Sequence, residues 1–149
     1  MARVEREIEV ELPVSTVYNQ WTQFEEFPRF MDGVEEVRQI DPRHLYWRAD
    51  VGGKEKEWQA TITRQEPGRL IAWESDDGAR NDGIVIFQPL SDTRSRITLA
   101  LDYQPNDFVE TVGGLLGFVA RRVEGDLQRF KEFIESRGIE TGAWRGTIR

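Results

Sequence analysis

The stretch that decides the fold is residues 4–31, VEREIEVELPVSTVYNQWTQFEEFPRFM. Apart from Arg6, its first nine residues alternate between apolar side chains and glutamates. The apolar face carries Val4, Ile8, Val10 and Leu12, and the acidic face carries Glu5, Glu7, Glu9 and Glu11. A period of two predicts a half-buried strand with a solvated acidic face.

Two short helices follow this strand. Pro13 ends the strand, and Pro13 or Ser15 begins a helix that carries Val17, Tyr18 and Trp21. A second short helix covers residues 24–31 and is interrupted at Pro28.

The segment 21–30 is crowded with aromatic rings at Trp21, Phe24, Phe27 and Phe30. Because the segment breaks near Pro28, these rings cannot all face the core from one continuous helix. The pattern favours a cover over a concave sheet, with some rings in the core and Phe27 at the mouth of a pocket. Packing of all four rings in the core is the alternative.

The rest of the chain predicts six strands and one long helix. Turn signals recur at hairpin spacing, at Gly52-Gly53, Pro67-Gly68 and residues 91–93, so the strands should form an antiparallel meander. The segment 76–83, DDGARNDG, is predicted to be a polar loop. Asp107 and Glu110 have the spacing of a capping box, and apolar residues then recur at steps of three and four until Arg137-Gly138.

This order of elements predicts an α+β fold in which a curved six- to seven-stranded antiparallel sheet surrounds a long C-terminal helix. We assign residues 1–138 to one domain and residues 139–149 to a C-terminal tail. One amphipathic helix cannot fill a wide concave sheet alone, so an internal cavity is expected. The tail carries Trp144 and Ile148, which either dock on the body or another subunit or lie in a disordered end.

Composition excludes several classes of function. The chain of 149 residues has no cysteine and one histidine, which argues against disulfides, thiolate metal sites and zinc chemistry. A net charge of −7 argues against nucleic acid as a partner. The charged N-terminus has no apolar signal core and no apolar run is long enough to span a membrane, so we expect a cytoplasmic protein without stable membrane insertion.

The chain resembles the START-like superfamily, with its helix-grip (SRPBCC) fold, and more narrowly the polyketide cyclase/dehydrase and lipid-transport branch that includes coenzyme-Q-binding relatives. The resemblance rests on residues 4–31, on the hairpin GGKEKEWQATI at 52–62 and on the long glycine-containing final helix. It implies an apolar cavity for a small hydrophobic molecule. Aromatase/cyclases of the branch place polar residues in that cavity, and no motif here matches those residues one by one.

Candidate site residues divide into ligand-binding and catalytic sets. The ligand-binding set is Trp21, Phe24, Phe27, Phe30, Trp47, Trp58, Trp73, Phe87, Tyr103, Val112 and Leu116. Glu74, Tyr103 and Arg48 are the candidates for an acid, a base or a carbonyl-polarising group. His44 is expected to point outward, because the apolar phase of its strand is set by Leu45 and Trp47.

Three glycines interrupt the predicted long helix at Gly113, Gly114 and Gly117. Each glycine costs roughly 1 kcal/mol relative to alanine in a helix interior. The glycines therefore indicate either close packing on a neighbour or space and bending that serve a ligand.

These observations leave three functions open. The first is binding of a polyketide, isoprenoid, quinone or lipid by a carrier or chaperone without a cofactor. The second is a cyclase/dehydrase enzyme that acts in the same cavity. The third is an interaction module that uses the tail and the acidic face, and a homodimer is compatible with each.

Overall fold

The computed structural model describes residues 2–31, 33–51, 53–76, 81–103 and 114–138, without the side chains at 2, 51, 54, 81, 103 and 114–120. Within these ranges the chain forms seven strands and three helical segments. The strands are β1 (Ala2–Val10), β2 (Val34–Asp41), β3 (His44–Val51), β4 (Lys54–Glu66), β5 (Leu70–Ser75), β6 (Asn81–Ser91) and β7 (Arg94–Tyr103). The helices are α1 (Val14–Trp21), a 3-10 helix (Phe24–Arg29) and α2 (Gly114–Arg137).

This architecture confirms the predicted α+β fold. The strands form one antiparallel sheet in the order β1-β7-β6-β5-β4-β3-β2, so β1 pairs with the last strand and every other neighbour is a hairpin partner. Pro13 directly precedes α1, as predicted. Pro28 lies inside the second helical segment, which is a 3-10 helix and not an α-helix.

The register of the sheet defines an inner face. Residues directly opposite each other on paired strands place their side chains on the same side. One row joins Ile8, Ile97 and Phe87, and the neighbouring row joins Leu99, Val85 and Ile71. Ile97, Phe87, Leu99, Val85 and Ile71 are buried, so the core lies against this face.

Helix α2 crosses the inner face. Its apolar stripe of Val123, Leu127, Phe130 and Ile134 is buried, as the steps of three and four predicted. Glu124 accepts a hydrogen bond of 2.7 Å from Nε of Arg6 on β1, which lies on the inner-face register. Arg122 donates to the carbonyl oxygen of Asp50 at the end of β3, 2.7 Å away. The helix is therefore anchored to both halves of the sheet.

The C-terminal end of α2 can be described in detail, whereas its predicted N-terminal cap cannot. The helix ends at Arg137, and Gly138 follows with a φ of +73°, the left-handed conformation that glycine adopts at a helix C-terminus. The predicted capping box at Asp107 and Glu110 and the tail 139–149 lie outside the described residues.

One predicted loop is shorter than expected. Residues 76–83 were predicted as a loop, but β6 already begins at Asn81 and pairs with Tyr103. Residues 81–83 can form a strand although they are polar or glycine, because the hydrogen bonds to β7 are made by backbone groups. The prediction of a loop at these three residues was therefore wrong.

Candidate ligand-binding site

One end of the inner face is filled by aromatic rings from α1 and the 3-10 helix. Phe24, Phe27 and Phe30 are each 2% exposed and Trp21 is 4% exposed. Trp21 lies at the centre of the group, with its ring centroid 5.5 Å from that of Phe27, 6.2 Å from Phe87 and 5.0 Å from Phe130. We call Trp21, Phe24, Phe27, Phe30, Phe87 and Phe130 the aromatic core.

Phe27 belongs to this core. Its ring contacts those of Trp21, Phe24, Phe30 and Trp47 at centroid distances of 5.4–5.6 Å. The sequence argument placed Phe27 at the mouth of a pocket, and its burial corrects that placement. The 3-10 helix around Pro28 changes the direction of the Phe27 side chain, and the ring still points toward the core.

The other end of the inner face carries Trp47, Trp58 and Trp73, which are half-buried. Trp47 and Trp58 are opposite each other on β3 and β4, and their rings stack with centroids 5.8 Å apart and planes 5° apart. Trp73 lies on the same face, because it pairs with Ile62, four residues after Trp58 on β4. We call these three residues the tryptophan end.

Gly83 makes room for the ring of Trp73. The two residues are opposite each other on β6 and β5. A Cβ atom added to Gly83 would lie 2.4 Å from Cζ2 of Trp73, which is closer than carbon atoms can pack. The glycine at the start of β6 therefore lets the indole lie flat across the neighbouring strand, toward half-buried Leu101 on β7.

Helix α2 contacts different parts of the inner face along its length. Phe130 and Arg129, in the second half of the helix, meet the aromatic core, and Nε of Arg129 donates to the carbonyl oxygen of Phe30 at 2.9 Å. Arg122 lies about two turns earlier and contacts the end of β3, near Gly33. The described part of α2 thus meets β3 through Arg122 and the aromatic core through Arg129 and Phe130.

A buried polar pair lies on the inner face beside the aromatic core, where the Tyr18 ring contacts that of Phe87. Nε2 of Gln65 donates to the hydroxyl oxygen of Tyr18 at 2.9 Å, and Tyr18 is 3% and Gln65 8% exposed. Burial raises the pKa of the Tyr18 hydroxyl, and the hydrogen bond from Gln65 partly opposes that effect. Gln65 pairs with Ile71 and is diagonal to Trp73, at a separation of about 7–8 Å.

Sequence reasoning missed Gln65 because a register shift hides it. Strict alternation from Ile62 places Arg64 inward, but the β4–β5 register shifts between Ile62 and Arg64. Arg64 is exposed and Gln65 is buried as a result. A bulge of this kind has no signal in the alternation itself.

Two of the catalytic candidates lie on the outer face. Glu74 pairs with Thr61, which is itself opposite His44, and Glu74 is exposed. Arg48 pairs with Glu57 and Glu36, and its Nη2 lies 3.7 Å from Glu36. The exposure of Glu74 corrects its interpretation as a buried carboxylate. Successive residues of β5 point to opposite faces, and Glu74 points to the solvent side.

His44 points outward, as predicted. Its Nδ1 lies 2.8 Å from Oδ1 of Asp41 at the turn between β2 and β3. Hydrogen bonds from the Arg43 backbone and from His44 hold the pKa of the Asp41 carboxyl below its usual value. The pair stabilises a turn away from the inner face.

The remaining candidates fall outside the described part of the chain. Val112 and Gly113 are not described, and the side chains of Tyr103 and Leu116 are not included. Gly114 and Gly117 lie in α2, where the surroundings of residues 114–120 are likewise not included. Their roles stay predictions.

The described ranges contain neither a membrane-spanning helix nor a cluster of metal ligands. None of the described helices is long and apolar enough to cross a membrane. Among the described side chains, no three His, Cys, Asp or Glu residues come together as a metal site would require.

Comparison with known families identifies the chain. Residues 10–132 match the model of the family described as polyketide cyclase/dehydrase and lipid transport. The chain belongs to this family. The matched range begins at the end of β1 and extends into α2, so it contains both the aromatic core and the tryptophan end.

A relative in Streptomyces lincolnensis is 48% identical over 149 residues, covering 99% of both chains. It is an uncharacterised 17.2 kDa protein from the melC2–rnhH intergenic region. The similarity of length and sequence places both proteins in the same family, and the relative's name assigns no activity.

Solved structures share the fold. The Zhui aromatase/cyclase from Streptomyces sp. R1128 superposes with a TM-score of 0.77 at 18% identity, over 96% of this chain and 99% of that one. A START superfamily protein from Mycobacterium smegmatis gives a TM-score of 0.75 at 13% identity, over 91% and 98% of the two chains. These likenesses confirm the START-like helix-grip fold and, at such identities, the fold alone.

Proposed function

We propose that this protein binds a small hydrophobic molecule at the tryptophan end and acts as its carrier or chaperone. The observation that carries the proposal is the half-buried state of Trp47, Trp58 and Trp73 on an inner face whose other end is packed with rings. Ligand pockets are lined mainly by apolar and aromatic side chains with a few polar groups. Family membership supports a ligand-binding or aromatase/cyclase role in general.

The stacked pair favours a ligand with a flat ring system. Trp47 and Trp58 lie parallel, so together they form a layered surface to which a further planar ring can be added. Trp73 supplies a third indole from the strand next to that of Trp58, beside Gly83. Polyketides and quinones fit this surface, while isoprenoids and acyl lipids would use the apolar area without the stacking.

A carrier role is favoured over catalysis by the position of the charged candidates. Glu74 and Arg48 lie on the outer face, so neither can touch a molecule bound against the tryptophans. The strand partners of Trp73 on the inner face are Ile62 and Gly83, and the buried polar pair Tyr18 and Gln65 is hydrogen-bonded internally.

The second candidate function is a cyclase/dehydrase enzyme that uses the same site. It is supported by the family description and by the buried Tyr18 hydroxyl, which could donate a proton to a ligand carbonyl. Tyr103 would be a further acid or base under this alternative.

One titration separates the candidates. The chain is mixed with quinones, fatty acids, isoprenoids and aromatic polyketides, and binding is followed by tryptophan fluorescence and melting temperature. We expect saturable binding with a raised melting temperature for at least one planar class. Mass spectrometry of the recovered ligand then distinguishes a carrier, which returns it unchanged, from an enzyme, which returns product.

Variants sharpen this test. For an enzyme, Tyr18→Phe or Tyr103→Phe should reduce turnover while leaving binding nearly unchanged. Trp58→Ala should reduce binding under both alternatives. No saturable response to any class would contradict the proposal and would favour an interaction module.

A further inference from the structure

The indole nitrogen of Trp47 is buried and lacks a hydrogen-bond partner in the described part of the chain. The same condition applies to Nε of Arg48 and of Arg96. Those two arginines lie on the outer face, where each also has a guanidinium nitrogen near a glutamate. Among these three nitrogens, the one on the inner face therefore belongs to Trp47.

A buried donor without an acceptor is unusual in a native protein. An indole N–H can only donate, so nothing except an acceptor atom can satisfy it. Leaving it unsatisfied costs the desolvation penalty of the group, and such groups call for an explanation.

Packing fixes the ring that carries this donor. Trp47 is stacked on Trp58 on one side, and its centroid lies 5.6 Å from that of Phe27 in the aromatic core. The buried polar pair of the inner face, Tyr18 and Gln65, is hydrogen-bonded internally, and Gln65 lies seven residues along β4 from Trp58, the strand partner of Trp47. The N–H of Trp47 is thus held at the border between the aromatic core and the tryptophan end.

We propose that the ligand presents an oxygen acceptor, a carbonyl or hydroxyl on its ring system, to Nε1 of Trp47. Trp47 then determines specificity, because a ligand with an oxygen at this position satisfies the donor and a pure hydrocarbon leaves it unpaired. The inference rests on the proposed function and adds the chemical class of the ligand. It separates oxygenated aromatic molecules from hydrocarbons of the same shape.

Calorimetric titration with a matched pair of probes tests this inference. The probes are menadione, which carries two ring carbonyls, and 2-methylnaphthalene, which has the same carbon frame without oxygen. Menadione suits this chain because it reacts with thiols and the chain contains no cysteine. Trp47→Phe keeps an aromatic ring at the position and removes the N–H.

We expect Trp47→Phe to weaken menadione binding about five- to tenfold more than it weakens binding of 2-methylnaphthalene, as loss of one hydrogen bond predicts. Trp58→Phe is the control, since it changes the other ring of the stack and should weaken both probes equally. Equal losses for both probes in Trp47→Phe would overturn the inference and leave the proposed function standing. No saturable binding of either probe to the unmodified protein would overturn both.

A second readout uses the unmodified protein and does not depend on how the variant folds. The Trp47 indole proton, assigned by heteronuclear NMR, should move downfield when menadione is added, because a new hydrogen bond deshields it. It should not move downfield with 2-methylnaphthalene. The same displacement with both probes would contradict a hydrogen bond to the ligand.

Discussion

The two ends of the inner face contain similar residues in different states. At the aromatic core, Phe24, Phe27 and Phe30 are each 2% exposed and surround Trp21. At the tryptophan end, Trp47, Trp58 and Trp73 remain half-buried although they lie on the same face of the same sheet. The difference shows that aromatic residues on one face of a sheet can differ in burial, since the rings are packed at one end and keep exposed surface at the other.

The two ends differ in how many ring contacts they receive from α1 and the 3-10 helix. In the aromatic core, Trp21 of α1 contacts both Phe87 on the sheet and Phe130 on α2, and Tyr18 contacts Phe87 as well. The tryptophans receive no ring contact from α1 and only one from the 3-10 helix, between Phe27 and Trp47, among the described residues. Each of the following predictions tests whether this division between packing and binding holds.

The largest effect is expected for Phe27→Ala. Removing a fully buried ring that contacts four others should lower the free energy of unfolding by about 3–5 kcal/mol. Urea denaturation measures this loss, and Phe27→Leu should show a smaller one because it leaves less empty space. A stable Phe27→Ala variant with strongly reduced ligand affinity would place Phe27 in the binding site instead.

Gly83→Ala should have the next largest effect. The added methyl group would lie 2.4 Å from the Trp73 ring, so the indole must shift, at a cost of roughly 1–3 kcal/mol in stability. Ligand affinity should fall with it, because Trp73 is displaced. In a Trp73→Phe background, which lacks the atoms that clash, the cost of Gly83→Ala should shrink, and an unchanged cost would contradict the steric explanation.

Trp58→Ala should affect ligand affinity more than stability, the opposite of what is expected for Phe27→Ala. A half-buried ring contributes less burial than a core ring, so the loss of stability should be about 1–2 kcal/mol. Ligand affinity measured by calorimetry should fall at least tenfold, since the stacking surface is removed. Unchanged affinity would remove the tryptophan end from the binding site.

Tyr18→Phe should have the smallest effect at neutral pH, about 1 kcal/mol, because one buried hydrogen bond to Gln65 is lost. Burial raises the pKa of Tyr18 above that of a tyrosine in the unfolded chain, which is about 10. The unfolded state therefore loses this proton first, and stability falls as pH rises from about 10 toward the folded pKa.

The alkaline loss of stability should be shallower in Tyr18→Phe than in the unmodified protein. Thermal unfolding between pH 8 and 11 measures the slope in both. Identical slopes would mean that the Tyr18 hydroxyl is solvated in the folded state.

Much of the fold could be predicted because alternation and turn residues are local. The apolar phase of β1, with Val4 and Val10 buried, and the hairpins of β2 to β7 follow directly from these patterns. The start of β6 could not be predicted, because residues 81–83 resemble a loop and are held in place by backbone pairing with β7.

Less of the candidate site could be predicted. The sequence identifies the aromatic residues but not which of them are covered, since this depends on where α1 and the 3-10 helix pack. The position of Gln65 depends on a register shift in β4, and the outward position of Glu74 depends on the phase of a short strand with apolar residues on both faces. These are consequences of long-range pairing and packing.

The most direct test of the division between the two ends is to follow the indole N–H signals of the five tryptophans by NMR during titration with menadione. We predict that the signals of Trp47, Trp58 and Trp73 move together with one dissociation constant, while Trp21 in the aromatic core stays in place. Movement of Trp21 without the other three would contradict the account, because it would place the ligand among the rings assigned here to packing.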